Sequence, residues 1–270
     1  DTFSVDLSAE DIKYLQEHRD GLEKRAKRLL KETPNEIYAI LSEDALFPKY
    51  NDIHDAVQRL PNSFLEFVTT IRFDNNKNAS IPNDKQKAQE ELFRIYWYHL
   101  KETQLPFLHY VFVLGIKSGH LTYKNFIAYL LEHTWIGIPH VKQDLGGNLK
   151  TTNWVVLLAP SIVEYFKQIQ AWGESKYYMP NFILCLDSFT LKIEGLFRSF
   201  AERLQISTSV GKKKGIQEAL LHDLFDNEKF QQYFNENDRL LFNYIFSSDG
   251  PINLRNNIAH SFYNENEYHP

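Results

Sequence analysis

The chain is poor in the features that mark special classes of protein. One cysteine, Cys185, in 270 residues excludes an internal disulfide framework and any metal centre built on paired thiolates. Eleven Gly and ten Pro are too few for a collagen-like or linker-dominated chain. The longest apolar run, Phe107 to Ile116, is broken by His109 and reaches only about half of a membrane span. Neither sign of charge dominates: the net charge is −5 and the pI about 6.1, so any nucleic-acid contact has to be local. The first six residues lack both a basic start and an apolar core, so no secretory leader is expected. Without an initiator Met, a preceding segment is allowed for. The expectation is a cytoplasmic protein in a reducing compartment with no membrane association.

What the chain does contain is helical periodicity. Its 43% hydrophobic and 24% charged residues are those of ordinary globular proteins. A chain of 31.8 kDa exceeds one average domain and buries roughly 70–75% of its unfolded surface. Ser8 with Asp11 resembles a capping box, and Ile12, Leu15, Leu22, Ala26 and Leu29 follow at near-heptad steps. Further helices are predicted over Asn51 to Arg59, Ser63 to Arg72 and Lys87 to Thr103, the last stopping before Pro106. Two more lie between Phe107 and Glu132, with a turn at Ser118-Gly119. The stretches Asp74 to Gln86, Gly137 to Asn153 and Ser207 to Gly215 read as loops. A helix beginning near Pro160 fits the tolerance of a first turn for proline. The strongest stripe is Phe182, Leu186, Phe189, Ile193, Leu196, Phe200 and Leu204, spaced alternately by four and three. Helices near Ile216–Phe225 and Asp238–Phe246 and a short last helix from Asn253 complete an all-α fold. A boundary near Gly173 divides a helical N-terminal region, 1–173, from a C-terminal helical domain, 174–270.

Several chemical signatures are missing. There is no His-Glu-x-x-His pair and no calcium loop, and the glycines of Gly211-Lys212-Lys213-Lys214-Gly215 lack the rest of a phosphate-binding loop. That loop reads as a solvated turn, with a phosphate or RNA contact as the alternative. Cys185 lies in an apolar run and reads as packing, not as a nucleophile. His133 and His140 flank Trp135 and Pro139 across a loop, without ligand spacing. No metal and no cofactor are expected.

The last helix is the exception. Asn253 follows a Gly-Pro turn and is a good N-cap residue, which puts Arg255 and Asn256 in the first turn. Free backbone N–H groups, the helix dipole and a guanidinium together suit a phosphate. His260 shares a face with Asn256, four residues before it. Arg255 lies about 140° round from His260, so a second copy of the helix or long side chains must bring both to one ligand. Upstream, Asp187, Leu191, Glu194 and Arg198 fall within about 60° of one another. Glu194 and Arg198 therefore either line the same cleft or form an i,i+4 ion pair on a polar face.

The run Arg255-Asn256-x-x-x-His260 resembles the Arg-x(4–6)-His motif of HEPN domains. It is most similar to an uncharacterised HEPN-like family marked by Arg-Asn-x-x-x-His-Gly. Asp187-Ser188, Glu194-Gly195-Leu196-Phe197-Arg198 and the phrase Gly250-Pro251-Ile252-Asn253-Leu254 extend the similarity over about the last ninety residues. Ser261 departs from it, standing where that family has Gly. The resemblance implies a helical bundle that pairs into a homodimer through the C-terminal domain, and metal-independent cleavage of RNA. Arg255, Asn256 and His260 would be the catalytic residues, and Glu194, Arg198 and Asn253 the substrate-binding ones. The implied substrate is RNA such as tRNA, and the implied setting is a toxin or antiviral defence effector with a regulatory protein or antitoxin as partner. Residues 175–264 carry ten Lys and Arg against ten Asp and Glu, so RNA would rely on a focused cleft. The competing reading is a non-catalytic module for dimerisation or for RNA or nucleotide binding.

Overall fold

Apolar residues at helical spacing in this chain have more than one neighbour to satisfy, and α-helices stacked on a central helix are the result. The computed structural model describes residues 8–43, 46–59, 72–73, 79–81, 83–143, 146–175, 177–212, 215–219, 221–247 and 250–268. The first helix, α1 (Ala9–Leu29), starts at the expected capping box: Ser8 accepts from the Asp11 N–H, and Asp11 accepts from the Ser8 N–H. Next come α2 (Pro34–Leu41), capped by Thr33 and Glu36, and α3 (Tyr50–Arg59). The helix expected over Ser63 to Arg72 lies outside the described residues, except that Arg72 pairs in a short strand, β1 (Arg72–Phe73), with β2 (Ala79–Ser80).

Pro106 does not end the following helix. After α4 (Asp84–His99) the backbone widens into a π-turn at Leu100–Gln104 and continues as α5 (Leu105–Lys117), with Pro106 in its first turn. A proline has no N–H for the carbonyl four residues back, here that of Glu102. His18 of α1 supplies the missing donor, its Nε2 lying 2.9 Å from that oxygen. The turn at Gly119, with a φ of 73°, leads into α6 (Tyr123–His133) as expected.

Two stretches read as loops are hairpins, and the described part of the third, Asp74 to Gln86, holds β2 and the first residues of α4. β3 (His140–Gln143) pairs antiparallel with β4 (Leu149–Thr152) around Gly146-Gly147. β5 (Ser209–Lys212) pairs with β6 (Gly215–Glu218), so Ile216 belongs to a strand and the helix expected from it begins only at α9 (Leu221–Phe225). Four-residue strands give too little alternation to register in sequence, and an isolated two-stranded hairpin is marginal by itself. α7 (Trp154–Glu174) likewise starts earlier than expected. Asn153 caps it by accepting from the Val156 N–H, and Pro160 lies inside the helix. Burial of Trp154, Val155, Leu158, Ile162 and Phe166 outweighs the one hydrogen bond that proline removes.

α8 (Ile183–Arg203) is the central element. One apolar cluster takes Phe182, Cys185 and Leu196 from its near side together with α1, α5, α6 and α7. A second takes Phe197 and Ala201 and packs them with Phe225 of α9 and Phe230 of α10 (Glu228–Gln231). Phe197 stands edge-on to Phe225 at 5.2 Å and to Phe242 at 4.9 Å between ring centres. A third cluster joins Ile53 and Phe93 to Leu240 and Tyr244 of α11 (Glu236–Phe246). α7 runs through Gly173, the helix expected to break there ending only at Glu174 before α8 starts at Ile183, and apolar packing joins the two helices across the gap. Among the described residues no helix is long and apolar enough to cross a membrane. The fold is all-α apart from the small hairpins.

Candidate functional site

The last helix, α12 (Leu254–Ala259), is only six residues long and lies against α8 and α11. Its approach is fixed by Gly250, where a Cβ would stand 2.1 Å from the Asn243 carbonyl oxygen, so only glycine fits. The Ile252 carbonyl then accepts from Asn257 Nδ2 at 2.8 Å and from the Tyr263 hydroxyl at 3.1 Å. Tyr263, three residues past His260, is thereby a structural tyrosine of the turn.

Asn253 occupies the N-cap position but not in the expected way. Its φ and ψ are 42° and 41°, left-handed, and its side chain makes no capping bond. An N-cap residue normally has extended dihedrals that bring its side chain over the N2 and N3 amides. The tight turn from Gly250 denies Asn253 that geometry.

The other end of α12 closes as a Schellman motif. Ser261 N–H donates to the Ile258 carbonyl at 3.1 Å and Phe262 N–H to that of Asn257 at 2.8 Å. Ser261, between them, has a φ of 55°, a left-handed position that favours glycine. His260 is the C-cap residue, and its imidazole is exposed, with the Phe262 ring 5.5 Å away.

Four of the six candidate residues form one polar network. Arg255 Nε donates to Glu194 Oε2 at 2.7 Å, and Arg198 Nη2 donates to Glu194 Oε1 at 2.8 Å. Arg255 Nη1 donates to Asn256 Oδ1 at 3.0 Å. The Glu194 side chain retains 15% of its exposure and Arg255 35%, so the carboxylate is largely withdrawn from water while the guanidinium reaches the surface. Burial pushes the Glu194 carboxyl up, but hydrogen bonds and charge from Arg255 and Arg198 outweigh it and hold it below the usual carboxylate range. Two of the five N–H donors of Arg255 are engaged in these bonds. His260 stands apart from the network, as the 140° separation implies, and Asn256 turns its oxygen to Arg255.

Sequence reasoning missed the neighbours that frame this site. Tyr268, buried at the end of the chain, donates its hydroxyl to Asp187 Oδ1 at 2.8 Å, one helical stripe along α8 from Glu194. Burial first, and then Asp187, push that phenol up to about 12. Its only sequence signal was Asp187 in the polar stripe. His133 and His140 have different partners: His133 lies 3.2 Å from Asn35, and the buried His140 bonds Glu202. Cys185 is buried, donates to the Phe182 carbonyl, and burial pushes its thiol up to about 11, as its packing role requires. Among the described residues no group of three His, Cys, Asp or Glu is placed to hold a metal ion. Comparisons of the chain with protein-family models, curated proteins and solved structures find no match.

Proposed function

We propose that the chain is a metal-independent endoribonuclease of HEPN-like type whose catalytic residues are Arg255 and His260. The observation that carries this reading is an exposed imidazole, His260, on the same short helix as a carboxylate-held guanidinium that reaches the surface. In this reaction the ribose 2′-OH attacks the adjacent phosphorus and the bond to the 5′-oxygen breaks. A 2′,3′-cyclic phosphate and a 5′-hydroxyl result. His260 takes the 2′-OH proton or returns one to the 5′-oxygen, the general acid–base role an exposed imidazole can fill. Arg255, kept in place by Glu194, stabilises the charge on the phosphorane. Because Arg255 faces α8 while His260 faces solvent, two copies of α12 are needed to surround one phosphate, which is the reason for a homodimer. The left-handed Ser261 also supports the reading, since glycine is the natural residue at the position where the similar family carries it.

A second reading has its own observation: two donors of Arg255 are already spent on Glu194 and Asn256, as in a purely architectural contact. One experiment separates the two. A pool of tRNA and structured RNA is incubated with the protein in EDTA, alongside Arg255→Ala and His260→Ala. The enzyme reading expects chelator-resistant cleavage with cyclic-phosphate ends, lost in both variants while both still dimerise. Inactive protein whose His260→Ala variant comes apart as a monomer would replace the enzyme by a dimerisation module.

A further inference from the structure

The chain's excess of acid conceals a basic block at the end of α1. Residues 24–31 read Lys-Arg-Ala-Lys-Arg-Leu-Leu-Lys, five cations in eight positions with no carboxylate. Leu22 and Ala26 are buried on the core face, the helical period turns the four cations of α1 outward, and these four, with Lys31 two residues past the helix, are exposed. Lys27 is paired with Glu23 at 2.6 Å, and the Arg25 guanidinium lies over the Phe107 ring at 4.5 Å, a cation–π contact of its head group. Lys24, Arg28 and Lys31 have no ion-pair partner among the described residues. On the ideal helix Lys24 and Arg28 fall about 40° apart and about 6 Å along the axis, and Lys31 follows in the turn after α1, its N–H donating to the Arg28 carbonyl. Beside them an open groove of about 560 Å³ is lined by Arg25, Arg28, Leu29, Glu32, Glu36 and Ile40. Of its carboxylates, Glu36 is turned back onto Thr33 in the cap of α2, accepting its N–H and hydroxyl. His120 donates Nε2–H to the Glu32 carbonyl at 2.8 Å and so joins the rim of this corner.

We propose that the exposed cations Lys24 and Arg28 of α1 and Lys31 just past its end, with Arg25, are a docking surface for the phosphate backbone of single-stranded RNA. Unpaired cations at successive turns match a repeating polyanion, and neutralising phosphates releases counterions. An acidic protein segment is the other polyanion to be tested. The assignment rests on the ribonuclease reading for its substrate, and under it the N-terminal region holds the RNA that the C-terminal residues cleave.

The experiment is titration of a fluorescent single-stranded RNA with the full chain across salt concentrations, next to the triple variant Lys24→Gln/Arg28→Gln/Lys31→Gln. Each phosphate contact contributes roughly 0.7 to the slope of log affinity on log salt for single strands. Losing three lowers the slope by about 2 and weakens binding about a hundredfold at 0.1 M salt. All three positions are exposed, and an unchanged thermal melt shows that the variant folds. A variant that binds with the wild-type slope overturns the proposal. So does equal binding of poly-aspartate carrying the same number of charges, which would reassign the block to an acidic protein partner. His260→Ala is the control that keeps the two readings apart. RNA binding retained without cleavage in that variant supports both. Wild-type protein that binds RNA through the block but cleaves none sinks the ribonuclease and leaves the docking surface.

Discussion

Two carboxylates eight residues apart on α8 each hold two nitrogen-bearing side chains, and they differ in what those side chains fasten. Glu194 binds Arg198 of its own helix and Arg255 of α12, with 15% of its side chain exposed. Glu202 binds His140 at 3.0 Å and Lys142 at 2.6 Å, both of β3, with 30% exposed. Beside it Arg203 donates to the Ile138 carbonyl at 2.7 Å, so the end of α8 clamps a hairpin too small to persist alone. Glu194 therefore sits between two permanent charges in a drier place, while Glu202 works at the edge with a titratable partner and a flexible lysine. The same side chain is thus a precise support in one setting and a simple tether in the other. Phe197, three residues on from Glu194, packs with Phe225 and Phe230 and so ties this stretch of α8 to the second apolar cluster.

The largest effect expected is from Glu194→Gln. It leaves two neighbouring guanidiniums without their counter-charge and costs about 3 kcal/mol, read as a fall in denaturant midpoint at constant slope. A loss below about 1 kcal/mol would mean that α12 is held by apolar contacts and that the two carboxylates are equivalent. The same pair gives a pH test. Because the folded Glu194 carboxyl lies below its ordinary value of 4.5, its contribution is present above 4.5 and is lost as pH falls through the folded value. The stability gap between wild type and Glu194→Gln should thus be constant at neutral pH and close in acid. A gap that widened in acid would contradict the ion-pair origin.

A smaller effect is expected at the other carboxylate. His140→Ala removes a buried imidazole from Glu202 but leaves Lys142, at a cost of about 2 kcal/mol by denaturant unfolding. Faster amide exchange confined to residues 140–143 and 149–152 would locate the damage in the hairpin. Exchange that speeds up in α12 as well would show the two networks to be coupled. The smallest effect has the opposite sign. Ser261→Gly relieves a left-handed serine and should raise stability by about 0.5 kcal/mol, the gain being limited by the greater freedom of glycine in the unfolded chain. Gln205, with a φ of 58°, closes α8 by the same motif, and Gln205→Gly should behave alike.

Much of this was legible without a structure, and the reasons are local. The capping box at Ser8 and the stripe of α8 depend on residues within four positions, and both elements formed where expected. Glu194 and Arg198 were placed on one face by the helical period, and they bond. That Arg255, 61 residues away, completes the pair has no local signature. Pro106 and Pro160 misled for a related reason: each was read by its cost within its own helix, whereas His18 and the core around α7 offset that cost from elsewhere.

The sequence by itself determined the helical character, the starts of α1 and α12, the single buried cysteine and the grouping of Arg255, Asn256 and His260 on one short element. Only the tertiary structure decided that Glu194 holds Arg255, that Tyr268 bonds Asp187 and that two stretches expected as loops are hairpins. Period and capping are written into neighbouring residues. Ion pairing, burial and the survival of a marginal hairpin depend on partners that the chain brings close only by folding.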